Sequence, residues 1–145
     1  MIQQRPGDVL EIEFEGGYYY LVVITKIIEF GGNIVYAFHG DGSKKDNFNA
    51  SLDSPGFNIC TDLLMPKTQG QVRRISKVIN VQDYLVSKMR RSTHPLKVGE
   101  KAKEWWLRPI DGSKSSVKRV KKLTKEQEMA MDGGTYSFDL VVEKI

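Results

Sequence analysis

Residues 18–30, YYYLVVITKIIEF, form the longest apolar run of the chain, and few structures suit them. Tyr18, Tyr20, Val22, Ile24 and Ile28 fall in one alternation class; Tyr19, Leu21, Val23 and Ile27 fall in the other. A strand with one wet face alternates apolar with polar residues. This run is apolar in both classes, so it reads as a central strand covered on both faces. A helix would tolerate the same hydrophobicity, but the β-branched residues and three tyrosines favour a pleated sheet. The run is longer than a typical strand, which predicts a bend near Thr25-Lys26, as where a strand turns a barrel corner.

The flanking segments give this strand its partners. Residues 9–15 alternate strictly, with Leu10, Ile12 and Phe14 inward and Glu11, Glu13 and Glu15 outward. That pattern predicts a half-buried antiparallel strand with one wet face. Gly16-Gly17 is expected to be the two-residue hairpin turn joining it to the long strand. Gly31-Gly32-Asn33 predicts a second turn and residues 34–38 a third strand, so the first forty residues read as a three-stranded meander. Turn chemistry follows in HGDGSKKDN. The apolar patch 59–65 fits either a strand or a helical turn.

Further along, QVRRISKVINV (71–81) reads as a strand anchored by Val72, Ile75, Val78 and Ile79. Residues 83–91 fit strand or short helix, and 92–104 read as a loop containing Pro95 and Gly99. Trp105-Trp106-Leu107-Arg108 opens the last group of elements, followed by a turn at 110–113 and a basic segment at 114–122. Thr124 with Gln127 three residues on is a capping box, predicting a short helix that ends at Gly133-Gly134. Tyr136, Phe138, Leu140 and Val142 then alternate with Ser137, Asp139, Val141 and Glu143, predicting a terminal strand. The whole is expected to be one mainly β domain (1–145), a small bent barrel or partly open antiparallel sheet of SH3-like kind with one or two short helices.

Composition narrows the functional classes. The single cysteine, Cys60, cannot form an internal disulfide and fits a reducing compartment. No signal-peptide pattern or membrane-length apolar stretch occurs, so a soluble, cytoplasmic protein without a membrane partner is expected. The net charge of +4 is unevenly spread: residues 1–62 hold 4 basic and 9 acidic residues, and residues 63–145 hold 18 and 9. That asymmetry bears on partners rather than on fold.

Catalytic patterns are sparse. His39, His94 and Cys60 stand at no metal-ligand spacing, and neither HExxH nor paired CxxC motifs occur, so neither metal nor cofactor is expected. The glycine pairs lack the strand–loop–helix setting of a phosphate loop. His39 beside Asp41 is the one arrangement resembling an acid–base pair; a histidine in an ordinary polar turn explains it equally. The expectation is a non-catalytic protein.

Two surfaces remain as binding candidates. Glu11, Glu13 and Glu15 form a same-face ladder of like charges that a basic partner would relieve, or that simply protects a sheet edge. Lys114, Lys118, Arg119, Lys121, Lys122 and Lys125 form a basic segment suited to nucleic-acid phosphates or to solvent. Trp105 and Trp106 point to opposite faces of one strand, so at least one is expected near the surface as an anchor or stacking platform.

The opening RPGDVLEIEFEGGYYYLVVI, the later WWLRPIDGS, the helix start KKLTKEQ and the ending YSFDLVVEKI resemble the polymorphic-toxin immunity family numbered twenty-six. The likeness covers roughly the first forty and last forty residues, and the middle matches nothing. It implies a bacterial, cytoplasmic protein that neutralises a cognate protein toxin by direct contact; Glu11, Glu13, Glu15, Trp105 and Trp106, singled out by charge and aromatic placement, are the candidate contacts. The alternative is a small-barrel nucleic-acid binder using the basic segment and an exposed tryptophan.

Overall fold

The computed structural model describes residues 4–27, 32–86, 89–92, 97–109, 118–128, 130–132 and 135–145. Its strands are β1 (Asp8–Phe14), β2 (Gly17–Ile27), β3 (Gly32–Phe38), β4 (Gly56–Thr61), β5 (Gln71–Lys77), β6 (Met89–Ser92), β7 (Trp105–Pro109), β8 (Lys118–Val120), β9 (Met131–Asp132) and β10 (Thr135–Tyr136). The helices are α1 (Leu64–Gln69), α2 (Lys125–Glu128) and α3 (Phe138–Lys144), with a 3-10 turn at Val81–Tyr84. Length predicts one domain; the backbone partitions into two compact units, Met1–Val86 with Thr135–Ile145, and Ser87–Gly134.

The first unit is a six-stranded mixed sheet in the order β10-β4-β3-β2-β1-β5. Its neighbours are antiparallel except for β10 beside β4. The protein is mainly β and the sheet is partly open: β5 and β10 lie at opposite ends of the order and do not close it into a barrel. The expected meander is present as β1-β2-β3. Its first turn is shifted by one residue, because Phe14 pairs with Gly17 and the two linking residues are Glu15 (φ 50°) and Gly16 (φ 80°). Both central residues have positive φ, the tight hairpin form that matches strand twist. Gly32 and Asn33 belong to β3, and the rest of the second predicted turn lies outside the described residues.

β2 is covered on both faces, as its residue pattern requires. Leu21 and Val23 face one side and Tyr20, Val22 and Ile24 the other, all buried. A register shift between Val23 and Thr25 bulges the strand just before the predicted bend. The first face carries Leu10, Ile12, Phe14, Val35, Ala37 and Ile59, and α3 supplies Phe138 and Val141 to cover them. The Phe138 ring stands edge-on to Phe14 at 5.3 Å and to Tyr19 at 6.1 Å. The second face is aromatic. Phe48, from the loop 39–55, stacks on Tyr20 at 4.3 Å, and Tyr84 of the 3-10 turn meets Tyr36 at 5.7 Å.

Three expectations are corrected here. The terminal strand is only β10; residues 138–144 are helical. Phe138, Val141, Val142 and Ile145 share one helical stripe packed on the core, while Leu140, on the alternating pattern, is 42% exposed. Ser137 precedes the helix in extended conformation, with Asp139 in the first turn and Lys144 in the last, matching the helix dipole. Second, β1 is not half-wet: it lies between β2 and β5, so its polar side chains enter a row flanked on both sides. Third, the strand at 71–81 ends at Lys77, where the Val78 amide turns to the Gly7 carbonyl, and Ile79 is 96% exposed rather than an anchor. The undecided patch at 59–65 contains both options, the end of β4 and the start of α1.

The second unit is a four-stranded sheet in the order β8-β7-β6-β9. The capping box forms as expected: Thr124 N–H donates to Gln127 Oε1 at 3.0 Å and Gln127 N–H to Thr124 Oγ1 at 3.2 Å. The helix ends earlier than the expected Gly133-Gly134: α2 is Lys125–Glu128, and Met131–Asp132 already form β9 beside β6.

Because Phe138 joins α3 to two rings of the sheet, Phe138→Ala should cost about 3–5 kcal/mol in urea unfolding. Leu140→Ala, on the exposed side, should cost well under half of that; equal losses would mean that residues 138–144 do not pack through the helical stripe.

Candidate functional site

The glutamate ladder does not form a surface. Register places Glu11 opposite Tyr20 on β2 and opposite Arg73 on β5. The Tyr20 hydroxyl donates to Glu11 Oε2 at 2.9 Å, and Arg73 Nη2 donates to Oε1 at 2.8 Å. Glu11 is only 6% exposed, so its two oxygens have exchanged water for a hydroxyl and a guanidinium. Glu13 and Glu15 are exposed, Glu15 in the hairpin turn. The expectation that all three carboxylates point outward fails at Glu11, because the Tyr20 and Arg73 side chains of the neighbouring strands close over it, whereas Glu13, between Tyr18 and Gln71, stays exposed.

Tyr20 also fastens the covering loop. Its oxygen accepts the Lys45 N–H at 2.8 Å while Phe48 stacks on its ring. The Tyr18 N–H reaches the Gly42 carbonyl at 2.9 Å, and the Tyr36 hydroxyl donates to the Ser54 carbonyl at 2.8 Å. From β4, Asn58 donates to the Tyr84 carbonyl at 2.8 Å and accepts the Val86 N–H at 2.7 Å, holding the 3-10 turn over the same face. The three hydroxyls under this cover, Tyr20, Tyr36 and Tyr84, have pKa values raised above the usual 10.0, in each case chiefly by burial.

Two recesses flank β5. One, of about 80 Å³, is lined by Glu11, Glu13, Tyr18, Lys44, Gln71 and Arg73, with the Lys44 ammonium 5.5 Å from the Tyr18 ring centre. The other, of about 220 Å³, has Lys67 and Arg74 at its sides and Leu10 and Val72 among its walls. Here α1 comes against β1 because Gly70 has no side chain: a Cβ there would collide with the Glu13 carbonyl. Arg74 Nη1 stands 3.8 Å from Asp8 Oδ1, beyond hydrogen-bond length, while Asp8 Oδ2 accepts the Arg5 N–H at 2.9 Å.

The second unit holds most of the positive charge. Residues 87–134 contain 13 basic and 6 acidic residues, net +7; the first unit contains 9 and 12, net −3. Trp105 and Trp106 are both half-buried and project to opposite faces of β7. Each lies beneath an arginine: Arg91 is 5.3 Å from the Trp105 ring and Arg119 is 6.0 Å from the Trp106 ring. Register sets Arg119 opposite Trp106 and Lys118 opposite Leu107. Lys118, Arg119, Lys121, Lys122 and Lys125 are exposed; Lys114 lies outside the described residues. The Trp106 Nε1 and Arg108 Nε are buried donors with no acceptor among the described residues.

The His39–Asp41 pair is not assembled as an acid–base couple. His39 Nδ1 lies 3.1 Å from the Ile145 main-chain oxygen, and its ring sits 5.2 Å from that of Phe57. The Asp41 carboxylate accepts from Ser43 Oγ at 2.5 Å and Ser43 N–H at 3.0 Å, bonds that hold its pKa below the usual carboxylate value. His94 lies outside the described residues. Cys60 is buried, its sulfur 3.4 Å from Thr135 Oγ1. Among the described residues, no group of three His, Cys, Asp or Glu side chains is placed to hold a metal, and no helix is long and apolar enough to cross a membrane.

The row Tyr20–Glu11–Arg73 escapes sequence reasoning because Arg73 is 62 positions from Glu11 and no local pattern announces their pairing. No known protein family, curated protein or solved structure matches the chain.

Tyr20→Phe should destabilise the fold by about 1–3 kcal/mol at neutral pH, since a buried carboxylate oxygen and the Lys45 amide both lose a partner. The three raised tyrosine pKa values also set an alkaline limit. Their contribution is complete below pH 10 and is lost as pH rises through the folded values, because only the unfolded chain ionises readily. Unfolding curves from pH 8 to 11.5 should show that fall, and Tyr20→Phe should make it shallower.

Proposed function

We propose that this chain is a non-catalytic binding protein that neutralises a protein toxin by direct contact, with Trp105 and Trp106 of the 87–134 unit as its anchors. The supporting observation is the pair of half-buried tryptophans, each beneath an arginine, on the unit of net charge +7. Tryptophan and arginine are the residue types that most often dominate protein interfaces. Holding them against each other before binding reduces the rotamer freedom lost on complex formation. Surplus positive charge around them favours an acidic partner surface and speeds encounter with it. Glu13 and Glu15 remain available for a second contact, whereas Glu11 is committed to the fold. The resemblance to immunity proteins adds a cytoplasmic, bacterial setting to this reading.

Nucleic acid is the second reading, favoured by the exposed Lys118, Arg119, Lys121 and Lys122 beside Trp106. Lysines would meet phosphates and the indole would stack on bases.

The two are separated by binding measurements on Arg119→Ala and Trp106→Ala. The former is an exposed position, so its effect is not confounded by folding. Against a toxin that the parent chain binds, each variant should bind about ten-fold or more weakly, and cells should lose protection. Tight binding of labelled oligonucleotides that collapses between 50 and 200 mM salt, with no toxin complex, would decide for nucleic acid.

A further inference from the structure

The six-stranded sheet ends on β5, which is bonded to β1 along one side and has no neighbouring strand on the other among the described residues. Gln71, Arg73, Arg74, Ser76 and Lys77 are exposed, and Val72 and Ile75 are half-buried. A free edge seven residues long is a template for another strand. Arg73 is paired with Glu11, and the remaining cations along the edge, Arg74 and Lys77, oppose pairing with a second copy of the same strand, since like charges would then face each other. They favour an acidic one.

The two sides of this edge are not equivalent. On the side of the aliphatic core, Lys67 of α1 and Arg74 border the 220 Å³ recess, with Leu10 and Val72 as apolar walls. Lys67 Nζ is bonded to the neutral Gln4 Oε1 at 2.6 Å, so its charge is not neutralised there. Arg74 is ion-paired with the buried Asp8 at 3.8 Å, but its guanidinium is about half exposed, so part of its charge still faces the recess. On the opposite side, the 80 Å³ recess has two carboxylates, Glu11 and Glu13, set against Lys44 and Arg73. One recess is therefore cationic and the other balanced. A strand added to β5 would send alternate side chains to the two sides.

We propose that the β5 edge docks an extended acidic segment of a partner protein. The segment adds as a seventh strand, with carboxylates at every second position directed toward Lys67 and Arg74 and uncharged polar side chains directed toward Glu13 and Tyr18. Main-chain hydrogen bonds supply affinity and the cationic recess supplies selectivity. The inference rests on the reading that the partner is a protein, but it uses a surface of the first unit and none of the tryptophan contacts.

The test uses the full chain and a synthetic octapeptide of alternating Glu and Thr, followed by amide NMR shifts and hydrogen exchange. Saturable shifts and slowed exchange confined to Gln71–Lys77 and the recess are expected. Arg74→Gln should weaken the peptide about ten-fold. A peptide N-methylated at alternate positions should not bind, because it cannot complete the ladder. The proposal is overturned if β5 shows no saturable change, or if the N-methylated or a Lys-Thr peptide binds equally well. Protection of β5 that rises with protein concentration alone would also overturn it, assigning the edge to a second copy. Trp106→Ala should leave peptide binding unchanged, so failure here and failure of the toxin reading give different results.

Discussion

A strand apolar on both sides needs two covers, and most of the first unit follows from how β2 obtains them. The covers differ in chemistry. On one face α3 and the aliphatic residues of β1, β3 and β4 make a dry core in which Phe138 is the central ring. On the other, an irregular loop carries main-chain polar groups that need partners if they are not to be buried unbonded. Tyrosines resolve this, because each offers an apolar ring to the sheet and a hydroxyl to the loop. Tyr20 serves both sides of the problem: its ring stacks with Phe48 and its oxygen joins Lys45 to Glu11.

That arrangement restricts where function can reside. Glu11, which in isolation looks like a surface charge, is consumed by the attachment of the loop and by pairing with β5. The sheet's aromatic face is likewise occupied by Phe48 and Tyr84 rather than being free to stack ligands. The margin of β5, where the sheet stops among the described residues and cations gather, is one accessible part of this unit. The other unit distributes its resources differently. Its strands are short, β8 having three residues, and its two tryptophans are divided between opposite faces of β7. Each large ring therefore keeps part of its surface outside and is met there by an arginine, a contact worth about 0.5–1 kcal/mol where it is exposed.

Both proposed binding surfaces thus arise from interrupted structure. β5 has no second neighbouring strand among the described residues, and β7 bears side chains too large to be buried on both faces at once. A protein whose contacts lie on such margins can keep a rigid sheet behind them, which limits the ordering that binding must impose. The separation of charge between the units, net −3 and net +7, gives them different electrostatic preferences without any difference in their secondary structure.

Local pattern alone determined the meander, the two-sided burial of β2, the bulge close to Thr25 and the capping box at Thr124, because each depends on residues within a few positions of one another. It also contained the helical stripe of Phe138, Val141, Val142 and Ile145. There it competed with an equally regular alternation through Leu140, and only packing against Phe14 and Tyr19 decided between the two. The fate of Glu11 was beyond any local reading. A carboxylate alternating with Leu10 and Ile12 looks the same whether its strand is central or at an edge, and its position was fixed when β5, sixty residues away, paired with β1. The same pairing moved the sheet's open margin from β1 to β5. Side-chain alternation records which way a residue points along its own strand; what it then meets is set by strand order, which is a tertiary choice.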